Sequence, residues 1–138
     1  MENNAALAYI LTQHPTTREP CLLVLAGYFG DTPEAERFFS PISSLGPMIA
    51  DVKREDYTHL NDGIDPFCVK GGFKKFTLQG VEKFSAKPWG EIAEMFVQLT
   101  KDCDDIVTGG FAFEFTTGKQ KHIELESAWA HRNVKAWV

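Results

Sequence analysis

The stretch from Ile106 to Thr116 constrains this chain more than any other. Phe111, Phe113 and Phe115 recur at every second position, and Gly110, Ala112, Glu114 and Thr116 alternate with them. Successive side chains of a strand point to opposite faces, so one face is aromatic and the other is small and polar. The aromatic face belongs in a core. The other has the character of a ligand floor, with Glu114 as its carboxylate. An aromatic strand face must be covered by another layer, which here is most simply a helix.

Such a helix is legible just upstream. Ser85 to Pro88 open it, and Trp89, Ile92, Phe96, Leu99 and Cys103 form one apolar stripe at helical spacing. A second helix follows Thr32, read as its cap, with Pro33 in the first position and Glu34 and Glu36 in the electropositive first turn; it is expected to end before Pro41. Residues 3–12 read as a weak helix, stopped by His14-Pro15. Residues 21–29 are apolar on both faces and read as a central strand. Further strands are expected at Met48 to Arg54, Phe73 to Leu78, His122 to Glu126 and Asn133 to Val138, with a helical turn at Asp56 to Asn61 and a loop over 63–72. The order predicts an α+β fold: an antiparallel sheet with helices on one face, in a ferredoxin-like βαβ-βαβ order.

The chain has 138 residues, enough for one domain spanning 1–138 with a core of its own. Its 43% hydrophobic and 24% charged residues are those of an ordered globular protein. A formal charge of −5 argues against a general nucleic-acid surface, which needs a basic excess. No apolar run approaches the roughly 20 residues of a membrane span. Met1-Glu2-Asn3-Asn4 has no basic character, so a signal peptide is not expected and the expected setting is cytoplasmic. Cys21, Cys68 and Cys103 are odd in number and widely spaced, which suits free thiols in a reducing compartment.

Several groups are candidates for chemistry. Glu114 on its small-residue face suits proton transfer if the face is dry, and a solvated or salt-bridged carboxylate is the plain alternative. His131-Arg132 offers an acid/base or anion-binding pair, against ordinary surface residues. His122, Glu124 and Glu126 share a strand face, where a polar outer face explains them without a metal. Lys70-Gly71-Gly72 is a basic loop with no P-loop helix behind it. Gly109-Gly110 marks a close approach by another backbone or a ligand.

Taken in order, four segments resemble the flavin-linked oxidases of the berberine-bridge-enzyme type. They are Gly27-Tyr28-Phe29-Gly30-Asp31-Thr32-Pro33-Glu34-Ala35-Glu36-Arg37, then Ser40-Pro41-Ile42-Ser43-Ser44-Leu45-Gly46-Pro47, then Lys70-Gly71-Gly72-Phe73-Lys74-Lys75, which is similar to the fungal members, and Ala130-His131-Arg132-Asn133. The resemblance implies a substrate-binding region for a small apolar oxygenated substrate, such as a secondary metabolite. It implies Glu114 and His131 as acid/base residues, with Gly110, Ala112, Thr116 and Arg132 beside the substrate. FAD is the cofactor implied. The family's flavin domain and its C-terminal Tyr-x-Asn segment have no counterparts here, so the expectation is a truncated unit without redox activity of its own, because hydride acceptance belongs to the cofactor. A separate flavin domain or a homodimer is the expected partner. Two other readings fit the residues: a non-redox isomerase or cyclase that moves one proton on the sheet, and a homodimeric interaction module.

Overall fold

The computed structural model describes residues 4–68, 70–71, 75–83, 85–103, 106, 109–115, 131 and 133–138. They fall into two compact units, Met1–Gly27 with Phe76–Val138, and Tyr28–Lys75.

The first unit is built on β4, Phe111–Phe115, the aromatic strand anticipated above. It pairs antiparallel with β1, Ala5–Gln13, in the register Ala8↔Glu114, Tyr9↔Phe113, Ile10↔Ala112 and Leu11↔Phe111. On its other side it pairs antiparallel with β5, Ala136–Trp137, which in turn pairs antiparallel with β3, Gly80–Val81. With β2, Pro20–Tyr28, at one edge, the five-stranded antiparallel sheet runs β2-β1-β4-β5-β3. The class is α+β, as the sequence predicts. One helix of this unit, α2, Ala86–Asp102, covers the aromatic face. Trp89 meets Phe113 edge-on at 4.3 Å, and Phe96 meets Phe111 edge-on at 5.9 Å. Edge-to-face packing satisfies the ring quadrupoles; among the described residues Phe96, Phe113, Ala5, Leu11, Val134 and Ala136 are buried, while Trp89 is half-buried and Phe111 stays exposed. On α2, Leu99 is exposed and Thr100 is buried in its stead; the Thr100 hydroxyl donates back to the Phe96 and Val97 carbonyls.

The second βαβ unit of the expected order is present as β3-α2-β4, while the first lacks its closing strand. Residues 48–56 are neither helix nor strand, and Met48, Ile49 and Val52 are exposed. Without a pairing partner, β propensity alone does not make a strand. The helix expected over 3–12 is instead β1. Its alanines favour a helix weakly, but Tyr9 and Leu11 alternate onto the α2 side and pair with β4, and that pairing outweighs the propensity. The strand expected at 21–29 is β2, an edge strand and not a central one; a continuous apolar run does not distinguish the two. The third strand lies at Gly80–Val81, past the 73–78 segment, although Gln79 already exchanges two backbone hydrogen bonds with Val138. The expected strand at His122 to Glu126 lies outside the described residues.

β1 and β2 are joined by a tight turn. The His14 N–H donates to the Glu19 carbonyl at 2.8 Å, and the Arg18 N–H donates to the His14 carbonyl at 2.9 Å. Two residues thus oppose one, and the first of the two, Arg18, has φ of 64°. This is the bulge whose first position is normally glycine, because a Cβ there costs about 1 kcal/mol. The His14 Nδ1 accepts from the Thr16 and Thr17 N–H groups at 3.2 Å each, which fixes the turn from inside.

In the second unit, α1 runs Thr32–Ser43 with Asp31 as its N-cap, one residue before the expected cap. It continues through Pro41 instead of ending before it. Proline has no N–H for the carbonyl of Arg37, four residues back. The Ser40 hydroxyl donates to that carbonyl at 2.9 Å and replaces the missing bond. Tyr28, Phe38 and Phe39 form a ring cluster at one side of the helix. The helical turn expected near 56–61 is present as a 3-10 turn at Tyr57–His59, and a second 3-10 turn, Asp62–Phe67, occupies the expected loop. Replacing Ser40 by Ala (Ser40→Ala) should lower stability by about 0.5–1 kcal/mol in urea unfolding followed by circular dichroism, and Ser40→Thr should restore most of it.

A candidate ligand face on the sheet

The strand registers place one row of residues across four strands: Ala8 on β1, Glu114 on β4, Trp137 on β5 and Gly80 on β3. Residues directly opposite one another share a face. Phe113 and Phe111 face α2, so this row lies on the side of the sheet away from the helix. Glu114 is exposed, and Trp137 beside it is half-buried. Among the described residues Glu114 makes no ion pair. It is therefore an open carboxylate against an indole, and not the enclosed group that a dry floor would give.

The chain just before β5 brings the second candidate to the same indole. The His131 ring lies edge-on to Trp137, with centroids 5.0 Å apart and an interplanar angle of 87°. His131 is exposed. The two candidate acid/base groups, 17 residues apart in sequence, thus flank one aromatic ring. Gly80, next in the row, makes room for Val134. A Cβ on Gly80 would sit 2.9 Å from Val134 Cγ2 and 3.5 Å from the Trp137 ring.

The other sequence candidates divide. Gly110 is explained by backbone approach: a Cβ there would come within 2.9 Å of the Leu11 carbonyl oxygen. Ala112, half-buried and opposite Ile10, fills the strip between β1 and β4. Thr116 and Arg132 lie outside the described residues, as do His122, Glu124 and Glu126. Among the described residues no three acidic, His or Cys side chains come together to hold a metal. Sequence reasoning does not nominate Trp137, which the register adds to the row. Its signal was present, since Ala136-Trp137 alternates small with aromatic, but only the register shows that the aromatic shares a face with Glu114.

The three cysteines are free. Burial pushes the Cys21 thiol up from its ordinary range, and Cys68 is exposed. The thiolate is the reacting form. Among the described residues no helix is long and apolar enough to cross a membrane.

No protein-family model matches this chain, and neither a curated protein nor a solved structure gives a significant match.

Two outcomes follow from this geometry. Replacing Gly80 by Ala (Gly80→Ala) should displace Val134 and cost about 1–3 kcal/mol in denaturant unfolding. A thiol-specific chromogenic reagent at mildly alkaline pH should modify Cys68 first and Cys21 last, with the Cys21 rate still rising at pH values where an ordinary thiol has levelled off.

Proposed function

We propose that this chain binds a small apolar oxygenated molecule against Trp137, with Glu114 and His131 as the groups that give and take its proton. The carrying observation is that Glu114 is the cross-strand partner of Trp137 while His131 packs on the same ring. An aromatic face supplies stacking area at little entropic cost, and a carboxylate and an imidazole at its rim suit general acid/base work on an oxygenated ligand. Glu114 and His131 are the residues that the resemblance to the substrate-binding region of berberine-bridge-type oxidases nominates, Trp137 is added by the strand register, and a ligand of secondary-metabolite type belongs to the same reading. A cytoplasmic setting is supported by the three free thiols.

The reading assigns no hydride step to this chain. Hydride acceptance belongs to a cofactor and not to these side chains. A flavin, where one takes part, would come from a separate domain and supply the redox chemistry, while Trp137 orients the ligand and Glu114 moves a proton. Without one, the same two roles describe an isomerase or cyclase.

The test is titration of tryptophan emission with planar phenolic and polyketide-type ligands. Saturable quenching is expected, weakened about tenfold or more by Trp137→Leu. Glu114→Gln should keep the affinity and remove deuterium exchange at the ligand's acidic C–H, followed by NMR. Quenching that does not saturate, or that Trp137→Leu leaves unchanged, would overturn the reading.

A second reading is favoured by one observation. Leu45, Met48, Ile49, Val52 and Tyr57 are all exposed within one short segment of the second unit. Contiguous apolar exposure of this kind marks an interaction surface. A self-association module would show as a concentration-dependent dimer in sedimentation velocity, weakened by Ile49→Lys with Val52→Lys.

A further inference from the structure

His14 ties the β1–β2 turn through its N–H, its carbonyl and its ring. The N–H donates to the Glu19 carbonyl and the carbonyl accepts from the Arg18 N–H, at 2.8 and 2.9 Å. The ring Nδ1 accepts from the N–H groups of Thr16 and Thr17 at 3.2 Å each. The two bonds to Nδ1 exist only while that nitrogen keeps its lone pair, which requires a neutral ring with its proton on Nε2. A protonated imidazole carries a hydrogen on both nitrogens. Nδ1 then points a hydrogen at two amide hydrogens, and both bonds are lost together. Asparagine and aspartate ordinarily fill such a place, because their side chains bond the backbone two residues on. An amide oxygen there accepts at any ordinary pH. This turn instead uses the side chain whose unperturbed charge change falls between about pH 5 and 8.

The ring holds a strained segment in place. Arg18 follows Thr17 directly with φ of 64°, a left-handed backbone that a residue with a Cβ keeps only where its surroundings fix it. The two bonds to Nδ1 fix the residues just ahead of it. The same end of the hairpin is tied to the segment between α2 and β4: Arg18 Nη2 donates to the Ile106 carbonyl at 3.1 Å, and the Thr12 hydroxyl donates to the Gly109 carbonyl at 3.2 Å. Among the described residues, the charged groups around the turn are its own Arg18 and Glu19 and, from α2, Lys101, which lines a recess with them. Arg18 and Lys101 oppose a positive imidazole. Glu19 favours one, and its carboxylate also accepts from the Thr17 hydroxyl at 3.4 Å. We propose that His14 is a proton-operated latch on the β1–β2 turn. Neutral His14 holds Thr16 and Thr17; its protonation frees them, lets Arg18 leave the left-handed conformation and loosens the tie to Ile106. Because the two bonds belong to the neutral ring, the turn is closed at mildly alkaline pH and opens as pH falls through the imidazole range.

The test is nitrogen-15 NMR on the full chain from about pH 8 to about pH 5. At the upper end the His14 ring is expected as the tautomer with its hydrogen on Nε2. On acidification the Thr16 and Thr17 amide signals should move with the same midpoint as the His14 ring. Hydrogen exchange at the Arg18 amide, corrected for the intrinsic effect of pH, should rise about tenfold. His14→Asn puts a non-titrating acceptor in the same place, so it should keep the turn closed and lose the response. A ring that carries its hydrogen on Nδ1 at the upper end overturns the proposal in the unaltered chain. So do Thr16 and Thr17 signals that ignore the His14 midpoint, or an undiminished response in folded His14→Asn.

Discussion

Phe113 stands where three elements converge. Its strand neighbour on β1 is Tyr9, its ring partner on α2 is Trp89, and it is only 4% exposed. The antiparallel join of β1 to β4 depends on that position, because the alternation that sends Phe113 inward also sends Leu11 and Phe111 inward and Glu114 outward. A slip of one residue would exchange the two faces. The aromatic ladder would meet solvent and the carboxylate would meet Trp89. Core packing on one side therefore fixes which groups are presented on the other, and the row through Glu114 and Trp137 is a consequence of the core.

Much of this was legible in the chain. The phenylalanine alternation gave β4 its two faces, and the 3.6-residue stripe gave α2, since both periodicities are carried by large side chains that have one place to go. What was not legible depended on partners distant in sequence. Ala5 to Leu11 has no intrinsic preference strong enough to resist β4, so its strand character exists only through pairing. Met48 to Arg54 has the composition of a strand and, among the described residues, no partner to make it one. Sequence rules stop the helix before Pro41, and with the Ser40 hydroxyl on the Arg37 carbonyl it runs on to Ser43. The candidate face shows the same division. Glu114 and His131 could be nominated from local pattern and resemblance, but that they share an indole required the β4–β5 register. The sequence leaves Gly110 open to approach by a backbone or a ligand, and the group found within reach of a Cβ there is the backbone of β1.

The turn between β1 and β2 adds a different kind of information. A left-handed arginine is locally unfavourable and is held by the two backbone bonds to His14 and by the bond to Ile106. Local rules and global structure disagree there, and such disagreement concentrates at positions retained for reasons other than stability. The buried, unpartnered oxygen of Gln13 lies immediately before the same turn.

The pairing of Leu11 with Phe111 also sets the order in which this molecule can be made. β4 is synthesised a hundred residues after the strand it pairs with. Until then the apolar side chains of β1 have only β2 and solvent, and an unsatisfied strand edge invites pairing with other chains. Closing so long a loop is entropically slow, so folding of the sheet is a late event that waits on the last third of the chain.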